Sequence, residues 1–278
     1  MRILILGAGP AGLTAARTLR ELAPSRSVDP AITMVSAESF PPYSPPAMAD
    51  HFLTGREETL YWQGKDVCDR LRVDYRPGAP VEAVYPEQRQ VLLQDTRYLD
   101  YDKLIIATGS RLHAPLDGYD LPGVYNFKSL AAALELIDHV KHGDVKNALI
   151  VGAGCIGVEV AVLLQALGCA VTIIEKQWLM PNILDEETAE LVRHDLEHRG
   201  IVVHEHTEAL RFSGHRRVKG VKLVNGETLL ADAYVAATGV KPNVEFLEGS
   251  GLDVGWGVRV DNRMRTNLPD IWAAGDVA

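Results

Sequence analysis

Cysteine is scarce in this sequence. Only Cys68, Cys155 and Cys169 occur in 278 residues, and no CxxC or CxxxxC pair is among them. That spacing argues against a dithiol redox centre, and three scattered thiols suit a reducing compartment better than a cross-linked, secreted one. Positive charge is in deficit: 28 Lys and Arg against 37 Asp and Glu leave a formal net charge of −9. Nucleic acid and anionic membrane are therefore disfavoured as partners. Low-complexity segments are missing. The chain starts MRILILGAG, directly in a strand, so no signal peptide is expected and a cytoplasmic location is. One nearly uncharged run covers 148–174, but Gly152, Gly154, Gly157, Gly168 and Glu159 interrupt it, so no membrane span is expected. No HExxH is present; His194 and His198 lie four apart on a charged helical pattern and read as a solvated face, so no metal is expected. At 47% apolar residues, the length suffices for about two domains, each burying its own core.

What is present centres on 147–176, NALIVGAGCIGVEVAVLLQALGCAVTIIEK. An apolar strand meets Gly152-Ala153-Gly154-Cys155-Ile156-Gly157, an apolar helical pattern follows, and Ala170 to Ile174 delivers Glu175. This is the layout of a dinucleotide-binding βαβ unit. Gly152 permits the tight turn, Gly154 lets backbone N–H groups approach a pyrophosphate, and Gly157 lets the helix lie close to the strand. The helix N-terminus presents its positive dipole end to the phosphates. Glu175 stands about 18 residues past Gly157, near the ~20 expected for an acid that accepts from a ribose 2′-hydroxyl. A 2′-phosphate would be repelled there, so NAD(H) is expected over NADP(H). Cys155 reads as a small space-filler.

A second fingerprint lies at the N-terminus. Arg2 to Leu6 is a strand, Gly7-Ala8-Gly9-Pro10-Ala11-Gly12 the turn, and a helix runs through Leu22. The next strand, Ala31 to Val35, ends in Ser36 where an acid usually stands; Glu38 reaches a ribose if the loop folds back. FPPYSPP at 40–46 is too proline-rich for helix or central strand. Short strand patterns from Val81 lead to Ala107-Thr108-Gly109, where small residues let a cofactor lie close. A crossover at 115–127 follows, then Ser129 caps a helix through Val140. After the 147–176 unit come an amphipathic helix at 186–199 and a further meander with an Asn225-Gly226 turn. That meander ends in Ala237-Thr238-Gly239. Fingerprint, meander and Ala-Thr-Gly thus occur twice, as two related units. The basic stretch Arg211 to Lys219 reads as a charged hairpin end, the alternative being a dock for an acidic redox protein. Near the end of the sequence, Asp276 lies in a Gly275-Asp276 turn suited to a ribityl or ribose hydroxyl.

In GAGPAG (7–12), ATG (107–109), GAGCIGVE (152–159), ATGVKPN (237–243) and AAGDVA (273–278), the chain resembles the pyridine nucleotide-disulfide oxidoreductase superfamily of two-dinucleotide flavoproteins. The stretch PPYSPPAMADHFLTG at 41–55 is most similar to its branch of rubredoxin and ferredoxin reductases and nitrite reductase flavin subunits. The resemblance implies an α/β fold of two Rossmann-like three-layer domains, an FAD domain at 1–112 and 240–278 with an NAD domain, 113–239, inserted. It places FAD on the first fingerprint with Asp276 on the ribityl chain, Val81 meeting the adenine through its backbone and Arg111 reaching the phosphates. NADH falls on the second, with Glu159 beside nicotinamide and flavin as the one catalytic, orienting residue.

Departures from the family pattern shape the functional expectation. Pro46 falls where relatives carry a redox cysteine, so chemistry through such a cysteine is not expected. The family's Arg and Lys of the same loop are Pro45 and Asp50 here, and Asp50 and Glu159 would raise each other's pKa if both approached the ring. The family's C-terminal interface domain is expected to be absent from these 278 residues. The implied activity is FAD-dependent oxidation of NADH with electrons passed to an unidentified acceptor, a redox protein or a small molecule. The alternatives are a flavin electron-transfer subunit of a larger complex and an NADH-sensing module.

Overall fold

The computed structural model describes residues 1–278 except Val28 and the Arg26 side chain. It divides into two compact units: 1–45, 57–111 and 241–278 form the first, and 46–56 with 112–240 the second. The segment 46–56 groups with the second unit, whereas the sequence reading leaves it in the first. Its cause is a helix the sequence did not announce, Met48–Thr54, which buries Met48, Ala49 and Phe52 and ends at Gly55 (φ 71°). This helix packs on Cys155–Ala166 and Leu130–Lys141, and the Phe52 and Phe127 rings meet edge-on at 5.9 Å.

Unit 1 is built on a five-stranded parallel sheet in the order Ile271–Ala273, Lys103–Ile106, Arg2–Leu6, Ala31–Val35, Val73–Arg76. Strand parity assigns the layers, because alternate side chains face opposite sides of a sheet. Ile3 and Ile5 join Leu13, Ala16 and Val67 in one core beneath the helices Pro10–Leu22 and Val67–Arg70. Leu4 and Leu6 join Val84, Val91 and Leu93 of the antiparallel meander Val81–Tyr85, Gln90–Leu93, Tyr98–Asp100 in the other. The run RILIL is apolar on both faces because both faces are covered, as parallel strands require.

Unit 2 repeats the plan. Its parallel sheet runs Val202–His204, Ala170–Ile174, Asn147–Val151, Ala233–Ala236, Val124–Tyr125. The two-residue last strand lies inside what the sequence suggests is only a crossover. Leu149 and Val151 face the meander core of Phe212, Val221 and Leu223. The mixed α/β architecture of two three-layer units agrees with the sequence expectation.

Candidate functional site

In each unit the glycine turn sits in one row with the C-terminal ends of the parallel strands. Leu6 is in register with Val35 and with Ile106, and Ile106 with Ala273. The next residues, Gly7, Ser36, Ala107 and Ala274, therefore line one rim, where open α/β sheets bind ligands. Unit 2 places Gly152, Glu175 and Ala237 the same way, because Val151 is in register with Ile174 and with Ala236.

Each glycine meets a different physical demand. At Gly7 (φ 107°) a Cβ would lie 2.1 Å from the Ala107 carbonyl oxygen, and at Gly12 one would lie 2.0 Å from that of Gly7. Gly152 (φ 102°) and Gly157 repeat this, at 2.5 Å from the Ala237 oxygen and 2.1 Å from the Gly152 oxygen. Gly9 and Gly154 differ: a Cβ there would meet nothing within 4 Å. Packing does not call for glycine at those two positions; space beside the turn does.

The helix termini agree. Ser129 Oγ accepts from the Ala132 N–H at the start of Leu130–Lys141, and Asp185 accepts from Thr188 at the start of Glu186–His198. The fingerprint helices Pro10–Leu22 and Cys155–Ala166 start at Gly9 and Gly154 with no side-chain cap. Their first-turn N–H groups remain donors at the positive end of the helix dipole. Two open glycines over two uncapped helix starts fit two pyrophosphates, and the donor set is of the right chemistry for them.

Of the remaining predicted residues in unit 1, Pro10 and Ala11 open the first fingerprint helix. Gly275 (φ 84°) comes so close that a Cβ would lie 2.9 Å from Ala11 Cβ. Asp276 follows, and its Oδ2 accepts from Ser110 Oγ at 2.6 Å. Ser36 Oγ accepts from the Glu38 N–H at 3.2 Å, and Gly78 N–H donates to the Glu38 carbonyl, so the loop does turn back. Tyr43 OH, from the proline-rich loop, donates to Glu38 Oε2 at 2.6 Å. Val81 opens the meander, half-buried against its core. Thr108 and Gly109 are locked to Asn243: its Nδ2 donates to the Thr108 carbonyl at 2.8 Å and its backbone N–H to the Gly109 carbonyl at 3.0 Å.

Arg111 forms a forked pair with Glu245, Nη1 to Oε2 at 2.6 Å and Nη2 to Oε1, and also reaches Asn243 Oδ1. The Arg111 hydrogen bonds hold the Glu245 carboxyl at about 2. A carboxylate depressed on folding adds stability above its unfolded pKa and loses it as the pH falls. Glu245→Gln is accordingly expected to lower stability at pH 7, with the deficit shrinking below about pH 4.5 and closing as the pH falls through about 2, in urea melts across that range. The pair is half exposed, so the loss should be no more than about 1 kcal/mol.

In unit 2, Glu175 is buried and both carboxylate oxygens are engaged, Oε2 by the Ala153 N–H at 2.9 Å and Oε1 by the Gln177 N–H at 3.1 Å. The acid is thus bolted to the glycine turn itself. Ile156 lies in the first turn of the helix, and Gly239 (φ 136°) accepts from the His113 N–H while Thr238 Oγ1 donates to the His113 carbonyl at 2.7 Å. Cys155 is exposed, which corrects its reading as a space-filler: the first helical residue after Gly154 points away from the core. Cys68 is buried, and burial pushes its thiol up to about 11.

Glu159 is half-buried in the same helix, and its carboxylate has no hydrogen bond or ion pair among the described residues. Burial alone raises its pKa. The anticipated mutual effect with Asp50 is not what acts on it; Asp50 is paired with Arg56 at 2.8 Å.

Ser110, Asn243 and Tyr43 escaped the sequence reading. Asn243 ends ATGVKPN and Ser110 directly follows Ala-Thr-Gly, but neither carries a residue pattern that names its partner. Among the described residues there is no helix long and apolar enough to cross a membrane.

Comparison with known proteins places the chain. The model of the family "Pyridine nucleotide-disulphide oxidoreductase" matches residues 1–278. The chain belongs to this family. It is 32% identical over 281 residues to the assimilatory nitrate reductase electron transfer subunit of Bacillus subtilis, covering 100% of this chain and 36% of that protein. It is 31% identical over 283 residues to the biphenyl dioxygenase system ferredoxin–NAD(+) reductase component of Paraburkholderia xenovorans, covering 99% and 67%. Among solved structures, an NAD-dependent persulfide reductase from A. fulgidus superposes with a TM-score of 0.89 at 28% identity, over 100% of this chain and 53% of that one. The chain thus spans between about one third and two thirds of the relatives it matches.

Proposed function

We propose that the protein is an FAD-dependent oxidoreductase that takes hydride from NADH and passes electrons to a protein or small-molecule acceptor, without a redox-active cysteine. The observation that carries this reading is the pair of glycine turns with open space at Gly9 and Gly154 above uncapped helix starts. FAD supplies an acceptor for two electrons that can release them singly. Unit 1 would hold it: the N–H groups after Gly9 bind its pyrophosphate, Glu38 and Ser36 meet the adenosine ribose, Val81 the adenine, and Asp276 a ribityl hydroxyl. Ala107, Thr108 and Gly109, pinned by Asn243, keep the neighbouring wall small. Arg111, which the resemblance puts at the FAD phosphates, is forked onto Glu245 and contacts Asn243 Oδ1, so its proposed part is to orient the Asn243 turn. Unit 2 would bind NADH, with Gly152, Gly154, Ile156 and Gly157 around the pyrophosphate, Glu175 accepting from the adenosine ribose and Gly239 at the rim. The domain assignment is FAD to 1–112 and 240–278 and NAD(H) to 113–239, with 46–56 structurally part of the latter. Free Cys68, Cys155 and Cys169 support a cytoplasmic setting.

Glu159 is proposed as the residue that orients the reacting ring, as a half-buried carboxylate without a partner of its own. Glu159→Ala should slow NADH-dependent flavin reduction at least tenfold in stopped flow; an unchanged rate removes the residue from the mechanism. The same burial has a stability signature. A carboxyl whose pKa is raised on folding favours the folded state at low pH and costs stability as the pH rises through that pKa. Glu159→Gln should therefore raise the melting temperature at pH 8, with the gain vanishing below about pH 4.5, close to the unperturbed carboxyl pKa.

The test of the whole reading is an anaerobic titration with NADH, following the visible flavin spectrum. Bleaching at one NADH per FAD is expected. A yellow protein that NADH does not bleach would reject it. A second reading, an electron-transfer subunit of a larger complex, is favoured by the likeness to the Bacillus subtilis subunit; it is distinguished by a stable complex with a partner chain on size exclusion.

A further inference from the structure

The three-stranded sheet of Ala209–Gly214, Val218–Leu223 and Thr228–Leu229 in unit 2 turns one face to the core, through Phe212, Val221 and Leu223. Its other face carries an arrangement that stability does not explain. Arg211 and Lys222 are directly opposite each other in the antiparallel register. Like charges at such positions are destabilising. Neither residue, nor Arg216 or Lys219 at the hairpin end, makes an ion pair among the described residues. Arg211 also bridges Asp117 through the backbone, without an ion pair between their side chains.

Several arginines elsewhere in this chain are held by aspartates. Arg2, Arg20, Arg56, Arg76, Arg89 and Arg199 are each paired with an aspartate. The stretch 209–226 has five Lys and Arg and no Asp or Glu, although the whole chain carries a net charge of −9. The register is also shifted between Ala209 and Arg211, where Leu210 is the additional residue; bulges of this kind re-aim side chains. Apolar surface accompanies the charge. Leu230 is 76% and Leu210 50% exposed. Leu230 belongs to the outer face, since a Cβ on Gly220 would meet Thr228 Cγ2 at 2.7 Å and Leu230 Cδ2 at 3.2 Å.

We infer that this outer face, centred on the like-charged pair Arg211 and Lys222, docks an acidic electron-carrier protein of the ferredoxin kind. The inference rests on the oxidoreductase reading above and adds to it the partner's charge and its place of contact. An acidic protein supplies the counter-charge that the fold withholds, and the exposed leucines supply the apolar area that charge alone lacks. Nucleic acid and anionic lipid share the sign, and the field of a chain at −9 opposes all three alike; the oxidoreductase reading and the exposed leucines beside the charge single out an electron-carrier protein.

The deciding variant is Lys222→Glu, which converts the like-charged pair into an opposite one. A face that is only a solvated surface gains stability and loses nothing. A docking face gains stability and loses its partner. The expected result is a melting temperature equal to or above wild type, together with at least a tenfold weaker Kd for a purified acidic [2Fe–2S] ferredoxin by surface plasmon resonance. NADH-dependent ferricyanide reduction should stay within twofold. Wild-type affinity should fall with added NaCl, and that dependence should flatten in the variant. An unchanged ferredoxin Kd overturns the proposal. So does an unmoved ferredoxin Kd accompanied by loss of binding to phosphatidylserine vesicles or to a second copy of the chain. Failure of the oxidoreductase reading would show separately, as wild-type protein that reduces no ferricyanide with NADH.

Discussion

Gly9→Ala should leave the fold intact and empty the FAD site. Gly9 has an ordinary φ of −72°, and a Cβ there meets nothing within 4 Å. Alanine at such a position narrows the unfolded ensemble and is neutral or stabilising by about 0.4–1 kcal/mol. In the proposed FAD site the same methyl group would stand where phosphate approaches the first-turn N–H groups. Losing one or two hydrogen bonds to a charged group costs roughly 1.5–3 kcal/mol each, and each 1.4 kcal/mol is about tenfold in affinity. Flavin content per chain, read from the ratio of visible to ultraviolet absorbance, should fall at least tenfold, with the flavin-free melting temperature unchanged or higher. Gly12→Ala is the contrast. Its Cβ would lie 2.0 Å from the Gly7 carbonyl oxygen, a backbone clash that no rotamer relieves, so melting temperature and flavin content should fall together. If Gly9→Ala retains its flavin, the open space at that turn is not a phosphate site.

Glu175→Ala should abolish the preference for NADH. The wild-type carboxylate is buried between the Ala153 and Gln177 N–H groups; in the proposed NADH site it would meet an incoming 2′-phosphate with a negative charge. With alanine, NADH loses an acceptor for its ribose and should bind about ten- to a hundredfold more weakly, by the same charged hydrogen-bond magnitudes. NADPH escapes the repulsion and should bind equally well or better. The variant also strands the buried Ala153 N–H, at about 1–3 kcal/mol, and frees the partly exposed Gln177 N–H to water, so its stability should drop measurably in urea. Stopped-flow Kd values for both coenzymes supply the check. A wild type that prefers NADPH, or a variant with unaltered selectivity, would take Glu175 out of coenzyme choice.

The fingerprints were legible because their demands are local: a turn with positive φ, a helix pressed onto a strand, and an apolar period that switches from two to 3.6 within a few residues. Strand and helix limits followed for the same reason; Arg2–Leu6, Ala31–Val35 and Ala170–Ile174 stand where the pattern put them. The short strand Val124–Tyr125 was not visible, because two residues of edge pairing leave no period to read.

Other features depend on partners remote in the chain. The Asn243 clamp on Thr108 joins residues 135 apart, and the Ser110 bond to Asp276 joins residues 166 apart. Nothing in a one-dimensional pattern says that Arg111 will meet Glu245, that Tyr43 will take a Glu38 oxygen, or that Met48–Thr54 will pack on the second fingerprint helix. Family membership, the α/β class and the two glycine turns were therefore settled by sequence, since backbone geometry at those turns admits few residue types. The state of each site carboxylate was settled by the fold. Glu175 is bonded, Glu159 is buried without a partner and Glu245 is neutralised by an arginine, because desolvation and hydrogen bonding depend on what three-dimensional packing brings alongside.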